Sequence, residues 1–370
     1  MSKVLFTASI AKHILRFHLP YLKWFKDQGY EVHVACSGAE NIPFCDIKWQ
    51  ISFVRSPFSF GHYNSFSKIK HIIEEQEYDL IHTHTPMTSL VTRYAAKSAR
   101  KKGTKVLYTA HGFHFYKGAP ILNWLFFYPI EKYFSKYADA IITINSEDYE
   151  ILHRNKFKNK DSYMIPGIGV SNDKFHEVSN SSKAQLRSKL KLNIDDFLII
   201  YAAEFISRKN HQFILSSINE YSIPANMKVL FAGRGELEHK LKKKVIELGL
   251  EKQIIFLGFI DNINEYYQAS DIGISTSKQE GLGLNLIEEL MCGLPVVATI
   301  DRGHSEIIEN GVNGYFYPQN NGKAFYDKVM ELYLNKEVYN NMKANATKSV
   351  EMFSLTHSIE VMSSIYSKYL

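Results

Sequence analysis

The most informative segment of the sequence is STSKQEGLGLNLIEELMCGLPVVAT, residues 275–299. It follows a β-rich run, Asp271–Ser275, and opens with a loop that contains EGLG. The spacing of its apolar residues then predicts a helix over residues 284–291, which a glycine and a proline end. A second β-rich run, Pro295–Thr299, completes a strand–loop–helix–strand unit. Such a unit is typical of a parallel α/β sheet.

The same alternation of β-rich runs and helical periodicity extends along the chain in two series. The first series predicts strands at Lys3–Ala8, Glu31–Ala35, Asp79–His82, Lys105–Ala110 and Ala140–Ile144. The second predicts strands at Phe197–Ala203, Lys228–Ala232, Ile254–Leu257, Asp271–Ser275 and Pro295–Thr299. The sequence therefore predicts two Rossmann-like domains with parallel sheets, which bind ligands at the carboxyl ends of their strands and face a central cleft.

A polar stretch, Glu177–Lys191, separates the two series of strands. We place an N-terminal domain at residues 1–176 and a C-terminal domain at residues 177–352. Residues 353–370 are expected to form a helix that crosses back to the N-terminal domain. At 370 residues, the chain is long enough for two such cores.

Composition narrows the class of protein further. Hydrophobic residues make up 45% and charged residues 22%, as in ordinary globular proteins, and the net charge of +6 suits anionic partners. Three scattered cysteines, Cys36, Cys45 and Cys292, indicate neither a disulfide framework nor a zinc site. We find no signal peptide or membrane-spanning segment and expect a cytoplasmic protein. The most apolar stretch, residues 120–130, is too short to cross a membrane.

The start of the predicted helix at 284–291 favours binding of a phosphate. Its first backbone N–H groups are free, and Gly281 and Gly283 lack the Cβ atoms that would keep a phosphate away. The helix dipole favours a negative charge at this end. We therefore expect an anion site along Gly281, Leu282, Gly283 and Leu284.

Two carboxylates flank this loop and helix start. Glu280 lies in the loop and Glu288 about one turn into the helix, so both can point towards the same ligand. Carboxylates accept hydrogen bonds from adjacent hydroxyls, which suits Glu288 to a ribose and Glu280 to a sugar ring. The alternative is that Glu288 and Glu289 only complement the helix dipole, worth roughly 0.3–1 kcal/mol each.

The pattern Glu280-x7-Glu288, with the glycine-rich loop inside it and GLPVVAT after it, resembles the donor signature of retaining glycosyltransferase family 4, which has the GT-B fold. The resemblance covers nearly the whole chain and implies that residues 1–176 bind the acceptor and residues 177–352 bind the nucleotide sugar. Further motifs in the family's order are DLIHTHTP at 79–86, YTAHGFHFYKG at 108–118, DAIITINSED at 139–148, IPGIGVSNDKF at 165–175 and FAGRGE at 231–236.

The resemblance implies a role for each matching residue. Glu288 would hold the ribose, Glu280 a hydroxyl of the transferred sugar, and the backbone of 281–284 the diphosphate. Lys209 matches the family's phosphate-binding lysine, and a point charge there would stabilise the leaving diphosphate; an exposed helical lysine is the alternative. His111, at the end of a predicted strand, matches a histidine that reaches the donor sugar. The family uses no bound metal, and UDP is its commonest nucleotide.

Two departures from the family pattern affect the expected site. Glu204 stands where the family usually has an arginine, so Arg208 or Arg234 is expected to supply the second cation. The usual glycine pair after the first strand is replaced by ASIAKH at 8–13. Lys12 and His13 in this loop could still contact an acceptor phosphate.

Two further features bear on partners. His82, His84, His111 and His114 could form a metal site, although no carboxylate or thiolate accompanies them. The basic run at 97–105, with the aromatic-rich segment at 113–137, could rest on an anionic membrane, or could be a solvated helix end and a core helix. Relatives with a TAHGFHFYKG-like segment often build capsular or exopolysaccharide repeat units on lipid carriers, which favours a polyprenyl-diphosphate-linked acceptor.

The resulting expectation is a retaining glycosyltransferase that moves a hexose or N-acetylhexosamine from a nucleotide sugar to a glycan or lipid-linked acceptor. We expect no metal cofactor. The alternatives are a nucleotide-sugar-binding scaffold or sensor without catalysis, and an epimerase or hydrolase on the same fold. A nucleic-acid-binding protein is suggested only by the net charge, and no recognition helix or aromatic RNA platform accompanies it.

Overall fold

The computed structural model describes residues 2–54 and 61–370. The chain forms two compact units. The first comprises the residues up to Ile168 together with Ser358–Leu370, and the second comprises Gly169–His357. The predicted domain limits at residues 176 and 352 lie close to these positions along the chain. The assignment of acceptor and donor to the two units stays a prediction.

The first unit is built on a seven-stranded parallel sheet with the order β3-β2-β1-β4-β5-β6-β7. Its strands are β1 (Lys3–Ile10), β2 (Glu31–Ser37), β3 (Ile47–Gln50), β4 (Leu80–His84), β5 (Lys105–Ala110), β6 (Ala140–Thr143) and β7 (Asp161–Met164). Its helices are α1 (Ala11–Phe17), α2 (Leu19–Asp27), α3 (Gly61–Gln76), α4 (Pro86–Ala95), α5 (Lys97–Lys101), α6 (Ile121–Phe134) and α7 (Ser146–Arg154).

The second unit holds a six-stranded parallel sheet with the order β10-β9-β8-β11-β12-β13. Its strands are β8 (Phe197–Ala202), β9 (Met227–Ala232), β10 (Ile254–Gly258), β11 (Ile272–Ser275), β12 (Val296–Thr299) and β13 (Gly314–Tyr317). Its helices are α8 (Asn180–Lys189), α9 (His211–Tyr221), α10 (Glu238–Glu247), α11 (Ile263–Ala269), α12 (Leu284–Met291), α13 (Gly322–Leu334) and α14 (Lys336–Ser349). The last helix, α15 (Leu355–Tyr366), ends in the first unit.

The structure confirms all ten predicted strands and adds three, β3, β7 and β13. Each of the three lies at an edge of its sheet. The residues of β3 and β7 are only partly buried or exposed, whereas β4 is buried throughout. An edge strand covered on fewer sides needs fewer consecutive apolar residues, so its sequence carries a weaker signal.

The sheets bring the ends of separate segments to one edge. In the second unit β11 pairs with β12, with Ser275 opposite Ala298, so the loops that follow these strands are neighbours. In the first unit β4 pairs with β5, with His84 opposite Thr109. Parallel strands leave a sheet at the same edge, which is where the candidate residues gather.

Two smaller expectations concern the cysteines and the membrane. Cys36, Cys45 and Cys292 are all free thiols. In the parts of the chain that the structure describes, no helix combines the length and the apolar character needed to cross a membrane.

Candidate functional site

The loop before α12 ends in a glycine with a left-handed backbone conformation. The helix begins at Leu284 and ends at Met291, as predicted, and Gly283 precedes it in the left-handed region at φ 99°. A Cβ on Gly283 would lie 3.2 Å from Cδ2 of His304, so a larger residue would be both strained and crowded. The structure thus gives a physical reason for the glycine beside the helix start.

Glu280 is held between two cations. Its Oε1 accepts a hydrogen bond from Nζ of Lys209 at 2.5 Å, and its Oε2 lies 2.9 Å from Nη1 of Arg208. Ser277 donates a further hydrogen bond to Oε1, and the side chain is only 8% exposed. The proposed catalytic pair, Lys209 and Glu280, is therefore in direct contact although 71 residues separate the two in sequence.

The charge state of Glu280 follows from these contacts. Burial acts to raise the pKa of the Glu280 carboxyl, but the charges of Lys209 and Arg208 and the hydrogen bonds to the carboxylate outweigh it and lower the pKa to about 2. At neutral pH the carboxylate is ionised and accepts hydrogen bonds only. It can therefore bind hydroxyl or ammonium groups but cannot donate a proton.

Lys209 is positioned through its backbone. It ends a 3₁₀ turn, Ser207–Lys209, and its carbonyl oxygen accepts hydrogen bonds from the hydroxyls of Tyr201 and Thr276 at 2.7 and 2.9 Å. The lysine side chain is only 15% exposed. The alternative of an exposed helical lysine is wrong for this position.

The two glutamates in α12 differ in their surroundings. Glu288 accepts a hydrogen bond from the hydroxyl of Tyr267 at 3.1 Å and is partly exposed. Glu289 is fully buried, and burial raises the pKa of its carboxyl well above the ordinary value. Glu289 lies near the carboxyl end of the helix, where a negative charge does not complement the helix dipole, so that part of the alternative interpretation is wrong.

Arg234 lies apart from the contacts described for Glu280. Its guanidinium stacks over the ring of Phe259 at 4.8 Å, in the turn after β9, and the side chain is exposed. Glu204 is also exposed. Of the two arginines that were predicted as the second cation, the structure places Arg208, and not Arg234, on the Glu280–Lys209 pair.

Asp301 and His304, which were not predicted from the sequence, also contact this region. Oδ2 of Asp301 accepts hydrogen bonds from the backbone N–H of Glu280 at 2.9 Å and of Gly303 at 3.0 Å. His304 is fully buried and its Nε2 lies 3.0 Å from Oγ of Ser275. Both follow β12 in the stretch DRGHSE, and the predicted pairing of the two strands could have pointed to them.

The first unit gathers five histidines at the ends of β1, β4 and β5. The rings of His18 and His84 stack with centroids 3.7 Å apart, and Nε2 of His111 lies 3.4 Å from Nδ1 of His84. The ring of His13 lies 5.2 Å from that of His111. His13 and His111, predicted for acceptor and donor sugar, are therefore neighbours, and Lys12 is exposed one residue earlier.

Burial controls the charge of these histidines. It lowers the pKa of His82 to about 3, and burial together with the neighbouring His13 and His82 lowers the pKa of His111 to about 3. Burial and neighbouring histidines also hold the pKa of His18 and His84 well below the ordinary value. These imidazoles are neutral at pH 7, which is the form that binds a metal or shares a hydrogen bond with a hydroxyl.

Three histidines lie close enough to hold a metal ion, but they are not the four that the sequence suggested as an alternative. His82 uses both ring nitrogens, towards Tyr366 and Thr109 at 2.8 Å each, and His114 stacks on Phe127. In contrast, one ring nitrogen from each of His13, His18 and His111 lies within 4.8 Å of the others. The alternative of a metal site at His82, His84, His111 and His114 does not match these contacts, whereas His13, His18 and His111 could hold an ion.

Comparison with known proteins now identifies the family. The family model described as "Glycosyl transferases group 1" matches residues 182–349, and the one described as "Glycosyl transferase 4-like" matches residues 3–145. The chain is 40% identical over 370 residues to "Putative glycosyltransferase EpsD" of Bacillus subtilis (strain 168), covering 100% of the chain and 97% of that protein.

Two other similar proteins carry more specific names. One is the Escherichia coli "UDP-Gal:alpha-D-GlcNAc-diphosphoundecaprenol alpha-1,3-galactosyltransferase", 25% identical over 302 residues, which cover 80% of this chain and 76% of that protein. The other is the crystal structure of Anabaena Alr3699/HepE in complex with UDP. It is 18% identical, covers 100% of both chains and superposes with a TM-score of 0.81, which shows a shared GT-B fold. The chain belongs to the group 1 glycosyltransferases, the glycosyltransferase 4-like family that its motifs led us to expect.

Proposed function

We propose that this glycosyltransferase moves a hexose or N-acetylhexosamine from a UDP-sugar to a polyprenyl-diphosphate-linked glycan, with retention of the anomeric configuration. The observation that carries the proposal is the carboxylate of Glu280 paired with Lys209 and Arg208 beside the start of α12. The names of the relatives, which include a UDP-galactose enzyme with a diphosphoundecaprenol acceptor, support the donor and acceptor classes.

Charge handling is the main task in such a transfer. The leaving UDP develops negative charge on its diphosphate as the glycosidic bond breaks, and donors fixed in advance stabilise it. We assign this role to Lys209, to Arg208 and to the backbone N–H groups from Gly281 to Leu284, including Leu282 and Gly283. Glu288 holds the ribose and the ionised Glu280 accepts a hydrogen bond from a hydroxyl of the transferred sugar.

His111 is the proposed contact to the sugar from the first unit. Its pKa of about 3 keeps the ring neutral at pH 7, so it acts as a hydrogen-bond partner and not as a cation. We propose attack of the acceptor hydroxyl on the same face that the diphosphate leaves, with a phosphate oxygen taking the proton. This route needs no protein nucleophile and no metal cofactor.

A ligand screen followed by single substitutions tests this function. UDP should raise the melting temperature more than GDP or ADP, since a ligand that binds only the folded state stabilises it. Glu288→Gln should weaken UDP binding. Lys209→Met should abolish transfer, whereas Lys278→Met, which changes an exposed lysine in the loop of Glu280, should keep it. Absence of binding by any nucleoside diphosphate, or a product with inverted configuration, would contradict the proposal.

We also propose that the enzyme works at the inner face of the cell membrane. The helix α6 exposes Ile121, Leu122, Leu125 and Phe126, each more than half exposed. Lys136 lies 3.7 Å from the centre of the Tyr133 ring at the end of this helix, and the charge of Lys97 acts on the same tyrosine. Apolar residues flanked by lysines favour the interface of an anionic membrane.

Liposome sedimentation tests this attachment. The double variant Leu125→Ser/Phe126→Ser should lose binding to vesicles that contain phosphatidylglycerol, whereas Leu334→Ser, which changes an exposed leucine of the second unit, should bind like the wild type. Equal binding by the wild type and the double variant would exclude α6 as the contact.

A further inference from the structure

The first unit contains a large apolar cavity between α3, α4 and α6. Its volume is about 520 Å³, which is within the size range of sites for small organic ligands. Its walls include Phe66 from α3, Met87 and Leu90 from α4, and Phe127 and Ile130 from α6. Side chains that surround an empty apolar space lose packing contacts, so a cavity of this size favours an apolar occupant.

The charged residue in the wall is already neutralised. Glu131 accepts a hydrogen bond from Nη2 of Arg93 at 2.7 Å, and the Arg93 guanidinium lies 4.4 Å from the centre of the Tyr108 ring. Both partners of this ion pair are buried. The pair therefore leaves no net charge for a charged ligand to bind in the cavity.

One end of the cavity adjoins the histidines. Met87 and Pro86 in its wall come just after His84, and Gly112 in its wall follows His111. His84 and His111 are themselves in contact through their ring nitrogens at 3.4 Å. This end also coincides with the first turn of α4, whose unsatisfied N–H groups favour an anion.

The helix α6 connects the cavity to the exposed apolar surface. Phe127 and Ile130 face the cavity, whereas Leu125 and Phe126 of the same helix are 63% and 52% exposed. A chain that leaves a membrane beside α6 would enter the cavity without crossing a polar surface. This continuity favours a membrane lipid over a second copy of the protein as the occupant.

We propose that the cavity binds the isoprenoid chain of the lipid-diphosphate acceptor and that the chain enters the cavity beside α6. The inference rests on the proposed function for the identity of the acceptor. The first isoprene units lie against Met87, Leu90 and Ile130. The chain thereby fixes the acceptor sugar next to the histidines and excludes acceptors that lack a lipid.

Calorimetric titration with farnesyl diphosphate and with inorganic diphosphate tests the proposal in the absence of a membrane. Farnesyl diphosphate should bind, and inorganic diphosphate should bind more weakly by about tenfold or more, since the apolar chain supplies most of the affinity. Leu90→Trp, which fills the cavity, should weaken the binding of farnesyl diphosphate by about tenfold or more. Leu334→Trp is the control, and Ile130→Trp replaces Leu90→Trp if the latter does not fold.

The outcomes separate this inference from the function on which it rests. A folded Leu90→Trp variant with wild-type affinity for farnesyl diphosphate would overturn the chain site, as would equal affinities for the two diphosphates. UDP binding is measured on the same samples. If UDP binds and the cavity variant has no effect, the cavity proposal alone fails; if UDP does not bind to the wild type, the proposed function fails.

Discussion

The contact between Lys209 and Glu280 offers the sharpest test of the donor site, through the change Lys209→Met. The substitution keeps the aliphatic part of the side chain and removes the ammonium group that lies 2.5 Å from Oε1 of Glu280. Glu280 is then left in a largely buried position with Arg208 and Ser277 as its remaining side-chain partners. The variant should be less stable and inactive.

The size of the effect follows from the pKa of Glu280. A pKa of about 2, against an ordinary value of 4.5, corresponds to about 3 kcal/mol of stabilisation of the ionised form at 1.36 kcal/mol per pH unit. Lys209 is the largest of the influences that lower this pKa, so its loss should cost roughly 2 kcal/mol. For a unit of this size, that is a fall of about 4–8 °C in melting temperature.

The pH dependence gives the prediction a sign. A carboxyl whose pKa is lowered by folding contributes its full stabilisation above the unfolded pKa of 4.5, and the contribution disappears as the pH falls through about 2. The difference in unfolding free energy between wild type and Lys209→Met should therefore be largest at pH 7. It should roughly halve by pH 3.

Urea unfolding of the wild type, Lys209→Met, Glu280→Gln and the double variant measures the coupling between the two side chains. Lys278→Met, an exposed lysine in the same loop, controls for the loss of a positive charge and should change stability little. Additive effects of Lys209→Met and Glu280→Gln, or a difference that does not depend on pH, would refute the reasoning.

Three further predictions concern other parts of the molecule. Gly283→Ala should cost about 1–2 kcal/mol because of its φ of 99°, and should weaken UDP binding measured by calorimetry. The pKa of buried His82 is about 3 in the folded protein and 6.5 in the unfolded chain, so the free energy of unfolding should fall by about 2 kcal/mol between pH 7 and pH 5. In urea titrations, His82→Gln should remove this dependence of the unfolding free energy on pH. Transfer should survive dialysis against EDTA, whereas added Zn²⁺ should inhibit it through His13, His18 and His111, and inhibition unchanged in His18→Gln would exclude this triad.

The predicted and the missing strands show how far sequence patterns reach. Buried central strands such as β1 and β5 contain the apolar runs VLF and VLY, and these runs are visible in the sequence. The edge strands β3 and β7 are covered on fewer sides and have few consecutive apolar residues. They contain Lys48, Trp49 and Asp161. Their pairing is fixed by the neighbouring strand, which no local pattern reports.

The sequence by itself determined the features whose causes lie within a short segment. The α12 helix, its preceding loop and the glycine at 283 were predictable because apolar spacing, helix-ending residues and backbone freedom act over neighbouring residues. The tertiary structure alone decided which distant side chains meet. It brings Arg208, and not Arg234, to Glu280, places Asp301 beside the same loop, and gathers His13, His18 and His111, because the order of strands in each sheet determines which loops are neighbours.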